Sequence, residues 1–346
     1  MAAMSTRFAP MAVPLYTKVA SLQDPSIYTD ATSRVETVET HCAFVFLTDR
    51  YAYKLKKPMR LDRMDNLLLS SRYHNCLEEL RLNRRLAPDV YLDVVGLRAD
   101  PAGRLRLTRE GTAVEWLVKM RRLPRELLLD YALSAHSKVP PESIAGVGRL
   151  LSTFYGGQLA VSMTAKDYLE RLERQIDANR CALLDRELAL PAHIVNAALM
   201  RPRRLLKDHS DLVMARASKV VEGHGDLRPE HVYFGSPPSV IDCLEFDREL
   251  RLLDPLEELA QLSLECDRLG SAWIAREVVD VYTAMSGDRF DAAVWELYSA
   301  RRSTQRALTA AWHIRDPAAR GSKDWTRLAL SYLTKATTGH FNGVLR

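Results

Sequence analysis

The stretch Glu222-Gly-His-Gly-Asp-Leu-Arg-Pro-Glu-His-Val-Tyr-Phe234 runs through Gly235-Ser-Pro-Pro238 into Ser239-Val-Ile-Asp-Cys-Leu-Glu-Phe246. Two short apolar runs flank a polar turn, and each adjoins an acid with no evident packing role. Asp226 lies in the loop before Val232-Tyr-Phe234, and Asp242 follows Val240-Ile241. A loop leading into a short strand, a tight turn and a second strand ending in Asp reads as a hairpin. Such a hairpin can put a proton acceptor and a metal-binding carboxylate in one cleft, the pairing that phosphoryl transfer requires.

Working outward, Ala43-Phe-Val-Phe-Leu47 and Tyr51-Ala-Tyr-Lys-Leu-Lys56 alternate with period two around the turn Thr48-Asp-Arg50, and read as paired strands. Alternation places Ala52, Lys54 and Lys56 on one face. From Asp65 to Ala87 the apolar residues Leu69, Tyr73, Cys76 and Leu80 return at helical spacing until Pro88 stops them, with Glu79 beside the stripe. Tyr91–Leu97, Arg104–Thr108 and Ala113–Met120 read as further strands. Beyond Pro124 the chain is helical in character apart from the hairpin: 143–155, 166–178, 208–221, 273–285, 290–312 and 324–336 read as helices, and 311–323 as a charged connection. Two helix starts carry capping signals, Thr164 with Asp167 and Asp254-Pro-Leu-Glu257.

His224-Gly-Asp-Leu-Arg-Pro-Glu-His231 followed by Val240-Ile-Asp242 resembles the catalytic loop and metal-binding strand of the aminoglycoside phosphotransferase group within the protein-kinase-like superfamily. Tyr53-Lys-Leu-Lys-Lys-Pro58 and Glu79-Leu-Arg-Leu-Asn-Arg-Arg-Leu-Ala-Pro88 narrow the resemblance to a bacterial branch whose members commonly carry a C-terminal P-loop ATPase module. This chain contains no Gly-x-x-x-x-Gly-Lys-Ser/Thr and looks like the kinase-like domain alone. The resemblance implies an α+β, two-lobed protein-kinase-like fold, with a small mixed N-terminal lobe and a large, mainly helical C-terminal lobe. The expected divisions are a flexible arm over 1–30, an N-terminal lobe over 31–123 ending in a hinge, and a helical lobe over 124–346 holding the catalytic hairpin 222–247.

The same resemblance implies roles. Lys54, preferred over Lys56, grips nucleotide phosphates and Glu79 orients it. Glu39-Thr-His-Cys42 covers the nucleotide, since no Gly-x-Gly-x-x-Gly precedes the lysine strand. Backbone groups of Met120 to Leu123 meet the adenine edge. Asp226 is the base or positioner for the acceptor hydroxyl, Asp242 the Mg²⁺ ligand, and His224 a loop-holding group; Arg228 is read as a phosphate or acceptor contact, or as a surface residue, and Glu245 as a supporting or solvent-facing acid. His231 departs from the pattern, standing where an asparagine normally offers oxygen to the metal, so Mn²⁺ joins Mg²⁺ as a candidate and a nucleotide-binding protein without transfer is the alternative reading.

Composition bounds the partners. The chain has 346 residues, 47% apolar and 27% charged, with a formal charge of +5 spread among 44 acids. ATP or GTP and a small-molecule acceptor fit that balance, with no nucleic acid and no membrane, and a separate protein partner left open. Acids Asp177, Asp185, Glu187 and Asp208 are too dispersed to mark a polycation site. Five widely spaced cysteines suit reduced thiols in a cytoplasmic protein.

Overall fold

The computed structural model describes residues 13–61, 63–315 and 324–339, which cluster into two compact units. One takes in the described residues up to Leu123 together with Glu245–Asp247; the other runs from Pro124 to Leu244 and from Arg248 onward.

The first unit opens with α1 (Leu15–Leu22) and a 3-10 turn over Pro25–Ile27 capped by the Asp24 carboxylate, which accepts from the Ser26 amide at 2.9 Å. Strands β1 (Glu36–Glu39), β2 (Ala43–Leu47) and β3 (Tyr51–Lys56) follow, then the small β4 (Arg60–Leu61) and β5 (Met64–Asp65), α2 (Leu69–Asn83), β6 (Tyr91–Ala99), β7 (Leu105–Leu107) and β8 (Thr112–Arg121). The main sheet is antiparallel throughout, in the order β1-β2-β3-β8-β6-β7. The β2–β3 turn is fixed by Thr48, whose hydroxyl donates to the Tyr51 carbonyl and accepts from its amide, both at 3.0 Å. Tyr53 and Leu55 alternate to the face opposite the two lysines and join Phe46, Leu97 and Leu117 in the core.

Leu22, Ile27 and Tyr28 belong to that same core, and Lys18 on α1 pairs with the buried Glu115 at 2.8 Å. The expected flexible arm is therefore folded over its described part, 13–30. Its apolar residues are spaced as an amphipathic helix that starts directly after Pro14, which stands at the N-cap rather than inside it; residues 1–12 lie outside the described residues.

In the second unit α3 (Leu129–Ser134), α4 (Pro141–Gly156), α5 (Ala165–Leu183), α6 (Ala192–Asp208) and α7 (Ser210–Met214) precede the short strands β9 (Val221–Glu222), β10 (Val232–Tyr233), β11 (Ser239–Val240) and β12 (Leu252–Leu253). Then come α8 (Pro255–Arg268), α9 (Ala272–Ser286), α10 (Ala292–Arg315) and α11 (Trp325–Thr338). The expected helix over 208–221 is corrected: α6 ends at Asp208, His209 leaves helical geometry with φ −125°, and a 3-10 segment covers Ala215–Lys219. What hid α6 is Pro202 amid Arg201, Arg203 and Arg204, a breaker and charges laid over the buried stripe Val195, Ala198, Leu199, Leu205 and Leu206. The helix α10 likewise continues through 311–315 of the expected connection, while 316–323 lie outside the described residues.

Helix α8 is buried at every position from Pro255 to Cys266. Asp254 caps it, accepting from the Leu256 amide at 3.0 Å, with Pro255 at the first helical position. An enclosed helix must satisfy each polar side chain internally, and this one carries Glu257, Glu258, Gln261 and Glu265. All five cysteines are free thiols. Among the described residues no helix is long and apolar enough to cross a membrane.

Candidate functional site

In the first unit, Lys54 and Lys56 project from one face of β3 onto a single carboxylate. Lys54 Nζ donates to Glu79 Oε1 at 2.9 Å and Lys56 Nζ to Glu79 Oε2 at 2.5 Å. Glu79 is wholly buried on α2, in line with Cys76 and Asn83, so the stripe read as apolar includes this acid. Lys56 also pairs with Glu245, whose side chain is 11% exposed. Burial would pull the Lys56 ammonium toward neutrality, but Glu245 and Glu79 hold it well above the ordinary lysine range. Lys54 keeps 16% of its side chain exposed against 3% for Lys56. Met120 is the cross-strand partner of Ala52 and shares the lysine face, and Leu123 follows half-buried at the end of the unit.

Their different settings predict different outcomes. Lys56→Met removes a buried cation that pairs with both Glu79 and Glu245 and is expected to cost about 3 kcal/mol of stability, read by urea unfolding. Lys54→Met is expected to cost less, since its side chain is more exposed and Lys56 remains on Glu79; equal losses would show that the two lysines are energetically equivalent.

In the second unit the loop from Gly223 to His231 is held at several points. Glu258 accepts from the backbone amide of His224 at 3.1 Å and from that of Gly225, and from the Tyr155 hydroxyl at 2.7 Å. Gly225 lies at φ +91°, and a Cβ there would meet Arg251 and Leu244 side chains at 3.1 Å, which explains the glycine of His-Gly-Asp. A Cβ on Gly223 would sit 2.8 Å from Glu258, so the acid approaches only a bare backbone.

His224 is buried and bridges the loop to the second strand. Its Nε2 donates to the Ile241 carbonyl at 2.8 Å, while Nδ1 accepts from the Asp226 amide at 3.3 Å, which sets the neutral tautomer. Burial and the neighbouring His231 push the imidazole down to about 4, against the opposing pull of the Ile241 carbonyl, Asp226 and Asp242. The unfolded chain, titrating near 6.5, then binds more protons between pH 6.5 and 4, so folding stability falls as pH drops through that window. Urea midpoints measured across it should fall more steeply for the native protein than for His224→Gln; parallel curves would show that another group carries the dependence.

Asp226 accepts from Gln261 Nε2 at 2.8 Å and from Arg228 Nε at 3.0 Å, and its side chain is 27% exposed. Burial pushes its carboxyl up, but Arg228, His231, Arg306 and His224 together outweigh this and hold it well below the usual carboxylate range. His231 Nδ1 donates to the Asp226 carbonyl at 2.8 Å, and Nε2 stands 3.2 Å from Arg228 Nη2 and 3.5 Å from Asp242 Oδ2. Asp242 has φ +60°, a left-handed backbone uncommon for a residue with a side chain, and its carboxylate is 44% exposed. Among the described residues no group of three or more His, Cys, Asp or Glu could by itself hold a metal ion. A single exposed carboxylate still suits Mg²⁺, which commonly takes one or two carboxylates with substrate phosphates and water completing its shell.

Sequence reasoning passed over Glu258, Gln261 and Arg306. Glu258 falls in a helix's first turn, where an acid is ordinary, and the other two lie far from the motif.

No protein-family model matches the chain. Uncharacterized proteins of Mycobacterium bovis and Mycobacterium tuberculosis are 27% identical over 300 residues, a match covering 79% of this chain and 54% of theirs. The chain thus spans about half the length of the curated relatives it matches. Among solved structures, a choline/ethanolamine kinase family protein from Mesorhizobium loti superposes with a TM-score of 0.57 at 18% identity, covering 94% of this chain and 98% of that one. APH(2")-IIia in complex with GDP and kanamycin gives 0.54 at 14%, over 94% and 99%. The fold is protein-kinase-like. A choline kinase from Cryptosporidium parvum agrees, at 0.54 and 11% identity over 94% of each chain. Within this kinase-like frame, an antiparallel sheet carries the Lys–Glu pair and a helical unit carries the acidic loop and hairpin.

Proposed function

We propose that the protein is an ATP- or GTP-dependent phosphotransferase acting on a hydroxyl of a small molecule, as the resemblance to the aminoglycoside phosphotransferase group implies. The observation that carries the reading is the hairpin itself. Asp226 is kept ionised on a loop anchored by Glu258, and Asp242 is held in a strained, exposed backbone position at the end of the partner strand. Phosphoryl transfer asks a protein for positioning and charge neutralisation more than for covalent chemistry.

On this reading Lys54, oriented by Glu79, contacts nucleotide phosphates. The Arg121 and Arg122 amides are already bonded to the carbonyls of Val90 and Arg50, so the Leu123 amide is the hinge donor for the base, with Met120 on the adjoining face. Asp242 supplies the carboxylate for Mg²⁺ or Mn²⁺, which when bound neutralises phosphate charge. Asp226 accepts a hydrogen bond from the acceptor hydroxyl and aims its oxygen. Its low basicity makes it an orienting group first, taking the proton only as the new bond to phosphorus forms.

His231 serves this arrangement best as an organiser of the loop, because both ring nitrogens face protein groups and one of them lies beside a guanidinium. Asn at that position cannot span the same partners, so His231→Asn is expected to lower Mg²⁺-dependent turnover about tenfold. A rise would identify the histidine as a handicapped metal ligand. That would favour the second reading, a nucleotide-binding regulatory module with weak transfer and a protein partner. The direct test is titration with ATP and GTP, with and without Mg²⁺ or Mn²⁺, followed by a metabolite-library screen with labelled nucleotide. Absence of nucleotide binding under every condition would end the kinase reading.

A further inference from the structure

We infer that the acceptor carries an anionic group, a carboxylate or a phosphate, which Arg268 and Arg306 hold while its hydroxyl lies at Asp226; this rests on the phosphotransferase reading above. The inference comes from one face of α8 and the α10 residues packed against it. Gln261, Glu265 and Arg268 follow one another at helical spacing on α8. Gln261 bonds to Asp226 and accepts from Arg302 Nη1 at 3.0 Å, so this face starts at the proposed reaction centre.

One turn further, the wholly buried Glu265 accepts from Arg306 Nε at 2.7 Å, Arg268 Nε at 2.8 Å and the Tyr332 hydroxyl at 2.6 Å. One carboxylate is thus met by two guanidinium groups, where one would neutralise it. Each arginine uses only its Nε, and the terminal nitrogens of both make no hydrogen bond among the described residues. Exposure rises along this path, from 0% at Glu265 to 13% at Arg306 and 34% at Arg268. Asp226 also acts on Arg306 and Glu230 on Arg268, so the local charge is near balance, and what sets the pair apart is two guanidinium forks whose terminal nitrogens match the planar oxygens of a carboxylate or phosphate.

The spacing suits a small acceptor. Arg268 lies seven positions after Gln261, about 10 Å along the helix axis, which a metabolite of a few carbons spans once side-chain reach is included. A cationic acceptor would have to face the Arg268 and Arg306 guanidinium groups, and of the dispersed acids Asp177 is already paired with Arg203, and Asp185 and Glu187 with Arg315.

The test is a metabolite library sorted by charge, with matched sets that differ in little else: glycerol, glycerate and glycerol 3-phosphate; glucose, gluconate and glucose 6-phosphate; and choline and kanamycin as cations. Product formation and nucleotide affinity are measured in parallel with Mg²⁺ and with Mn²⁺. The expected result is the highest kcat/KM for anionic members, with Arg268→Gln raising KM for them about 10- to 100-fold and affecting neutral acceptors much less; Arg306→Gln should raise KM for anionic members similarly but also lower kcat for every acceptor, since Arg306 helps hold the Asp226 charge. Equal or better turnover of neutral or cationic acceptors overturns the inference and leaves the phosphotransferase reading standing. So does an equal loss for charged and neutral acceptors in both variants, which would mark the arginines as mere partners of Glu265. No product from any acceptor, with nucleotide still bound, overturns both. If Arg306→Gln fails to fold, the more exposed Arg268 and the charge ranking of the native protein still decide.

Discussion

Asp226→Asn is expected to reduce phosphoryl transfer by roughly 10²-fold or more while leaving nucleotide affinity nearly unchanged. Asparagine keeps the volume of the side chain and its bond from Gln261 or Arg228. It loses the charge that Arg228, His231 and Arg306 now stabilise, and with it the ability to align a hydroxyl and receive its proton late in the reaction. The measurement is a split of kcat from KM and from nucleotide Kd on the best acceptor found. An equal fall in nucleotide affinity would show that Asp226 supports the fold of the nucleotide site; unchanged kcat would remove it from the chemistry altogether.

Glu258→Gln should be the most damaging isosteric change in the helical unit. The carboxylate accepts from two consecutive loop amides and a tyrosine hydroxyl, and the residue is 1% exposed. Burial pushes its carboxyl above the ordinary glutamate range, while the Gly225 amide, the Tyr155 hydroxyl and the His224 amide pull the other way. Glutamine turns an NH₂ toward one of those donors whichever way its amide sits, so a buried N–H or O–H loses its acceptor. A stability loss of about 2 to 4 kcal/mol is expected, with turnover falling further than stability alone dictates because the loop holding Asp226 is no longer pinned. Tyr155→Phe removes one donor and keeps the acceptor, and should cost about 1 kcal/mol with little effect on turnover. If the two variants behave alike, Glu258 contributes packing and leaves the loop to other contacts.

Much of this architecture was legible because local signals agreed with the global fold. The bounds of β2 and β3 follow from strict alternation around Thr48, and the Asp254-Pro start of α8 follows from its capping chemistry. The hairpin was legible for the same reason, two apolar runs each tied to an acid. What escaped notice depended on distant partners. Nothing in the neighbourhood of Glu245 reveals that it meets Lys56, 189 residues away in sequence. Helix α8 reads as amphipathic, because Glu257, Glu258 and Glu265 look like solvent-facing charges until Arg301, Arg306 and the loop amides are folded against them. The order of residues 13–30 is illegible for a related reason: a short helix gains its stability from the sheet that receives Leu22, and that sheet comes later in the chain.

The first unit is not continuous in sequence, since Glu245–Asp247 belong to it although they follow the hairpin of the second. A fragment cut after Leu123 would retain the whole six-stranded sheet and still be incomplete. Lys56 would remain buried with only Glu79 for company, a single carboxylate shared between two ammonium groups. Such a fragment should be intolerant of acid, and a short peptide supplying Glu245 in trans should partly restore it. Dissection of this protein into autonomous halves therefore has no clean cut point, and grafting its lysine face onto another scaffold would have to carry a piece of the later chain along with it.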